Sequence, residues 1–229
     1  MNSFEKYVRQ MSLADFGEEG QGKLMRASVV LAGAGGVGSA VLPLLASVGF
    51  GRICIFDADK VSLSNLHRQT LYTPSDIGKS KALVSAEFVR ARNPDCKVEF
   101  FESILDENVP ANIFDESTIC IDATDSFASR LSIARLCRKR GVRLISASAT
   151  GFVAQNFLFG DGFYFDDIVD ASAESEQAKE LAIFPPTAHF SGLMAVNFAI
   201  KSVVWNDFKV GDFISLDFSK MKYISGNLR

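Results

Sequence analysis

The chain has 229 residues, 48% of them hydrophobic, with a net charge of −3 and a pI near 5.5. That length makes one large domain or two small ones with ample apolar material for a core. The acidic balance argues against a nucleic-acid partner, since no basic stripe exists to neutralise phosphates. No apolar run reaches the roughly eighteen residues of a membrane span.

In chain order, the pattern predicts a helix over 18–25, a strand over 27–32 and a helix over 37–49. A strand over 52–57, a helix over 79–92 and strands over 97–102 and 117–122 follow. Next come a helix over 127–140 and a strand over 143–148. Such alternation predicts an α/β, Rossmann-like, doubly wound and mostly parallel sheet. After Gly151 the character changes. Phe152–Phe159 reads as a strand, and 161–187 as a long, acidic connection carrying Asp161, Asp166, Asp167, Asp170, Glu174 and Glu176. A helix over 188–205 follows, with Phe190, Leu193, Val196, Ala199 and Val203 as its apolar face toward core or a dimer partner. Strands at Phe213–Phe218 and Met221–Ile224 form a hairpin around Ser219-Lys220, a C-terminal antiparallel extension. Residues 1–229 are read as one domain, with a nucleotide-binding half (1–150) and a second half (151–229). Pro43 conflicts with its helix: it lacks an N–H and crowds the Ser39 carbonyl, so a kink or a later helix start is expected.

No two of Cys54, Cys96, Cys120 and Cys137 stand in a C-x-x-C spacing. They read as buried thiols of a reducing compartment, except Cys96, whose turn predicts exposure. The N-terminus shows no signal-peptide apolar core, so a cytoplasmic location is expected.

The most informative stretch is Gly33-Ala34-Gly35-Gly36-Val37-Gly38, between an apolar strand and a helix start. There a phosphate can rest on backbone N–H donors. Nineteen residues after Gly38 stands Asp57, about where a carboxylate holds a ribose hydroxyl. Alone, this fingerprint also fits a nicotinamide dehydrogenase. Arg68 and Lys81 after the second strand, and Asp122 and Asp125 after the fourth, change the balance. A parallel sheet gathers those loops at one edge. Hydride transfer has little use for such cations, whereas phosphoryl or adenylyl transfer needs them.

The ordered motifs are Tyr7-x-Arg9-Gln10, the glycine run, Asp57-x-Asp59, Asn65-Leu66-x-Arg68-Gln69, Gly78-x-x-Lys81 and Asp122-x-Thr124-Asp125. In this order the chain resembles the ThiF/MoeB/HesA family, bacterial relatives of ubiquitin-activating enzymes. The likeness extends through Leu144–Ala149 and the late helix after Gly192. It implies ATP-dependent adenylylation of the C-terminal carboxylate of a small ubiquitin-like or sulfur-carrier protein ending in Gly-Gly, with release of pyrophosphate. By resemblance, Gly35 and Gly36 lie against the phosphates, Asp57 holds the ribose, and Gly33, Gly38 and Asp59 belong to the nucleotide-binding set. Asn65, Arg68 and Lys81 contact the phosphates, and Gln69 and Asp122 belong to the nucleotide-binding set. Asp125 is the implied Mg²⁺ ligand. Arg9 is implied to reach the neighbouring subunit's nucleotide, so a homodimer is expected.

The two zinc-binding C-x-x-C pairs of many family members are missing, and no zinc is expected. Ser126 replaces a frequent Asn and suits a helix cap. Alternatives stay open: a tRNA-modifying, ATP-dependent dehydratase of the same fold, or a nucleotide-binding protein without transfer chemistry. Taken singly, Arg9 is also an ordinary surface arginine, and Asp122 also a loop-orienting residue. His67 fills a variable slot, and His189 reads as capping or packing at the start of the late helix.

Overall fold

The computed structural model describes residues 4–169, 182–205 and 209–229. Asp170, Glu174 and Glu176, and with them residues 170–181 of the predicted acidic connection, lie outside the described residues.

A short helix α1 (Val8–Met11) and α2 (Gly17–Arg26) lead into β1 (Ser28–Ala32). Then follow α3 (Gly36–Val48), β2 (Arg52–Phe56), α4 (Lys81–Arg92), β3 (Lys97–Phe101), β4 (Thr118–Asp122), α5 (Phe127–Arg140) and β5 (Arg143–Thr150). The chain continues with β6 (Val153–Phe159), α6 (Pro185–Val204), β7 (Asp212–Asp217) and β8 (Lys222–Asn227). The strands form an eight-stranded sheet ordered β3-β2-β1-β4-β5-β6-β7-β8. Pairing is parallel from β3 to β5 and antiparallel from β5 to β8. This is the predicted class.

The strand Ser28-Val29-Val30-Leu31-Ala32 is buried throughout, because both faces of the sheet are covered. Successive side chains point to opposite faces. Val29 and Leu31 join the core beneath α3, α4 and α6, while Val30 and Ala32 join the one beneath α5. Leu42, Leu45 and Phe198 are fully buried in the first core. Each stabilises the fold by about 1.5–3 kcal/mol relative to exposure.

Pro43 neither delays nor ends its helix: α3 runs on from Gly36 to Val48 around it. The late helix begins at Pro185 rather than 188, so His189 sits a turn inside it. Its expected face is in part the buried one, with Val196 and Ala199 in the core. Leu193 is 49% exposed, whereas Ser191, Gly192, Ala195, Phe198 and Ser202 are buried. The reason is close packing against α3. A Cβ on Gly192 would come within 2.8 Å of both the Val37 carbonyl and the Ala40 methyl, so small residues mark that contact. The hairpin's last strand runs to Asn227, past the expected Ile224.

Cys96 is buried, not exposed. Its turn, closed by the Cys96 N–H bonding the Asn93 carbonyl, folds it into the first core. Burial pushes its thiol up to about 12 and that of Cys54 to about 11. No helix among the described residues is long and apolar enough to cross a membrane.

Candidate functional site

The chain order switches direction between β1 and β4, so a crevice opens at the carboxyl ends of β1, β2 and β4. The glycine turn fills its floor. Gly33 takes φ +91°, and a Cβ there would lie 2.8 Å from the Ala123 carbonyl oxygen. That contact presses the loop after β4, which carries Asp125, against the turn. A Cβ on Gly38 would lie 2.1 Å from the Gly33 carbonyl oxygen. Gly33 and Gly38 therefore serve close packing.

Gly35 and Gly36 are different, because no such collision surrounds them. Gly35 is the N-cap of α3 and brings no side-chain acceptor. The N–H groups of Gly35, Gly36 and Val37 meet no acceptor among the described residues, while the first intrahelical bond is donated by Ser39 to Gly35. Three aligned donors at a helix N-terminus form a receptor for an anion. The Gln69 amide nitrogen lies 3.6 Å from where a Gly35 Cβ would stand, and the Arg68 stem 3.5 Å from that of Gly36. Gln69 is 3% exposed, and its Oε1 is buried with no hydrogen-bond partner. An unpaired buried oxygen beside unfilled N–H donors is the mark of a site built for a polar ligand.

Asp57 has a second task beside the expected ribose contact. Its Oδ2 accepts the Ala34 N–H at 2.7 Å and its Oδ1 the Asp59 N–H at 2.8 Å. Each oxygen keeps a lone pair for a further donor. Burial pushes the Asp57 carboxyl up, against the lowering pull of those two N–H groups and of Lys81. Lys81 is buried at the start of α4, and its ammonium reaches the exposed Asp59 carboxylate at 2.8 Å. Lys79 lies outside the helix and pairs with Asp76 instead.

Arg68 is held from its own turn. One guanidinium nitrogen donates to the Ser64 carbonyl at 3.3 Å and meets the His67 ring nitrogen at 3.4 Å. Asn65 supports this turn with its carbonyl, which accepts the N–H groups of Arg68 and Gln69. His189 bridges the Pro185 carbonyl and the Thr70 hydroxyl, each at 2.9 Å, and so ties α6 to this loop.

Asp122 is buried at the end of β4, where its Oδ1 accepts both the N–H and the hydroxyl of Thr124. Burial pushes its carboxyl up, with Arg130 and Thr124 opposing. Its geometry is that of a loop brace. Asp125, three residues on, is exposed. Ser126 does cap α5, accepting the Ser129 N–H at 3.0 Å.

No group of three or more His, Cys, Asp or Glu side chains gathers to hold a metal among the described residues. One exposed carboxylate beside a phosphate cradle still fits Mg²⁺, which binds through one or two carboxylates plus substrate phosphates and keeps several waters. The donor set therefore suits a metal carried in by a nucleotide.

Arg9 is not brought into this crevice. Tyr7 packs on Gly49, and Gln10 bonds Gln21 and the Val48 carbonyl, all at the far end of α3. Twelve residues of helix separate that end from Gly36, about 18 Å at 1.5 Å per residue. The sequence reading also missed Tyr72, a buried residue whose hydroxyl donates to the Ala34 carbonyl at 2.7 Å. Its partner lies 38 residues away in sequence, and no local pattern announces such a bond.

Several known proteins resemble this chain. The SAMP-activating enzyme E1 of Haloferax volcanii is 36% identical over 151 residues, 66% of this chain and 56% of that protein. A probable molybdopterin-synthase adenylyltransferase of Gracilaria tenuistipitata is 31% identical over 202 residues, 87% of this chain and 57% of that protein. The ThiS adenylyltransferase of Escherichia coli is 36% identical over 152 residues, 66% of this chain and 61% of that protein. The chain thus spans little more than half the length of these relatives. Among solved structures, E. coli MccB superposes with a TM-score of 0.83 at 23% identity, over 100% of this chain and 72% of that one, which speaks for the fold. The ThiF family matches residues 7–227, from the buried Tyr7 through the glycine crevice to the end of the last strand, and the chain belongs to that family.

Proposed function

We propose that this chain is an ATP-dependent adenylyltransferase whose acceptor is the C-terminal carboxylate of a small ubiquitin-like or sulfur-carrier protein ending in Gly-Gly. The observation that carries the reading is the unfilled N–H cradle of Gly35, Gly36 and Val37, flanked by Arg68, the unpaired Gln69 oxygen and the Lys81–Asp59 pair. Relatives named for adenylylating sulfur carriers support the acceptor class.

In this reading the acceptor carboxylate attacks the α-phosphorus of ATP, the bond to the pyrophosphate oxygen breaks, and an acyl-adenylate and pyrophosphate result. The cradle N–H groups hold phosphate oxygens by charge-assisted hydrogen bonds. Arg68 and Lys81 neutralise the charge that grows on those oxygens in the transition state. For Lys81 this means sharing its ammonium between Asp59 and the ligand. Asp57 offers its remaining lone pairs to the ribose, and Asp122 braces the loop that presents Asp125. Asp125 would hold Mg²⁺, which when bound supplies further neutralisation of phosphate charge. Residues 1–150 carry the nucleotide, and 151–229 face the acceptor and the partner subunit.

The test is isotope exchange. Protein, Mg-ATP, labelled pyrophosphate and candidate carriers are mixed, and label is followed into ATP. Exchange that requires a Gly-Gly tail is expected. Exchange that requires tRNA instead, or ATP binding with no exchange across a panel of carriers, would refute the acceptor assignment.

Arg9 belongs to the same reading. Its helix packs at the far end of α3, about 18 Å along that helix from Gly36, so it acts across a homodimer interface. Arg9→Ala and Arg68→Ala proteins are each expected to be inactive alone and to regain exchange when mixed, because one site of the mixed dimer has both arginines. No recovery in a mixture shown by native mass spectrometry to contain mixed dimers would rule out supply in trans.

A further inference from the structure

The glycine turn is gripped at a single residue, on the two peptide groups that flank it. Ala34 is fully buried, and its N–H is held by the Asp57 carboxylate. The Tyr72 hydroxyl donates its one proton to the Ala34 carbonyl at 2.7 Å. The Ser85 hydroxyl, 3.1 Å from the Tyr72 oxygen, supplies a proton to it. Tyr72 is itself fixed to the phosphate loop, since its N–H bonds the Gln69 carbonyl.

The Ala34 carbonyl and the Gly35 N–H belong to the same peptide plane. In a trans peptide they point in opposite directions, and the plane turns as a unit. No peptide bond among the described residues is cis. Whatever fixes the carbonyl therefore fixes the direction of the N–H. Gly35 has little of its own to resist rotation, having no Cβ and no close neighbour other than Gln69.

We propose that Tyr72 is a positioning residue for the nucleotide: by holding the Ala34 carbonyl on the α4 side, its hydroxyl aims the Gly35 N–H at the phosphates. The phosphates, not the nucleoside, are the part of the ligand it serves. Without the hydroxyl, a buried carbonyl loses its partner and the peptide turns to find another. This role rests on the nucleotide-binding reading above.

The test is binding of ATP and of adenosine, measured by calorimetry on wild-type, Tyr72→Phe and Ser85→Ala proteins, with thermal melts to establish folding. Tyr72→Phe is expected to weaken ATP about five- to tenfold, the size of one buried hydrogen bond, and to leave adenosine unchanged. Ser85→Ala, which keeps the Tyr72–Ala34 bond but removes its supporting donor, is expected to weaken ATP about twofold with the same selectivity. Equal losses for both ligands would reduce Tyr72 to general packing, and unchanged ATP affinity in Tyr72→Phe would overturn its role outright. Should Tyr72→Phe fail to fold, selectivity in Ser85→Ala decides the matter. Wild-type protein that binds no ATP would sink the nucleotide reading and this role together. Wild-type binding with no selective loss sinks only the role of Tyr72.

Discussion

Arg68→Ala is expected to abolish ATP–pyrophosphate exchange, a loss of about 10³-fold or more, while the protein stays folded. Among the described residues its guanidinium has only local partners, Ser64 and His67, so the fold has little to lose. The site loses the cation whose stem lies against Gly36. Asp125→Ala is expected to act similarly, with a loss of about 10²–10³-fold that added Mg²⁺ partly offsets. Its carboxylate is exposed, so removing it leaves no buried group unpaired. Exchange assays on both variants, beside circular dichroism melts, decide the point. Wild-type exchange in either variant would remove that residue from the site.

Gly38→Ala is expected to damage the fold first and the chemistry through it. The added methyl would lie 2.1 Å from the Gly33 carbonyl oxygen, so the start of α3 has to move off the turn. Overpacking of this kind costs about 1–3 kcal/mol, read as a lower urea midpoint at unchanged slope. ATP affinity falls with it, because the same shift carries the cradle away from Arg68. Gly35→Ala makes the contrast. Its methyl would meet only the Gln69 amide at 3.6 Å, so stability holds within about 1 kcal/mol. Nucleotide affinity drops because the methyl occupies the ligand's side of the turn. Equal midpoints for Gly38→Ala and wild type would refute the packing account.

Much of this was legible from sequence because the relevant physics is local. The buried runs at 28–32, 52–56 and 118–122 announce strands covered on both faces, and the glycine turn between β1 and α3 has one workable geometry. Where local reasoning failed, distant packing decided. On α6 Leu193, one residue of the expected face, is turned outward, because α3 needs Gly192 and its small neighbours at the contact. Cys96 stands in a polar turn yet ends in the core, since neighbouring strands cover it. The acidic residues show a subtler limit. Spacing placed Asp57, Asp59 and Asp122 at the site, but not that each already has a partner within the protein: Ala34, Lys81 and Thr124. Tyr72 was invisible for the same reason.

The sealing of all four thiols has a practical corollary. Cys54, Cys96, Cys120 and Cys137 are buried, and none is paired in a disulfide. Alkylating probes need an accessible thiolate, so the unaltered chain is a quiet background for single-site labelling. One cysteine introduced at Ser219, in the exposed turn between β7 and β8, will take a fluorophore alone. Dye there gives an optical probe on the C-terminal hairpin without deleting any natural residue of the core.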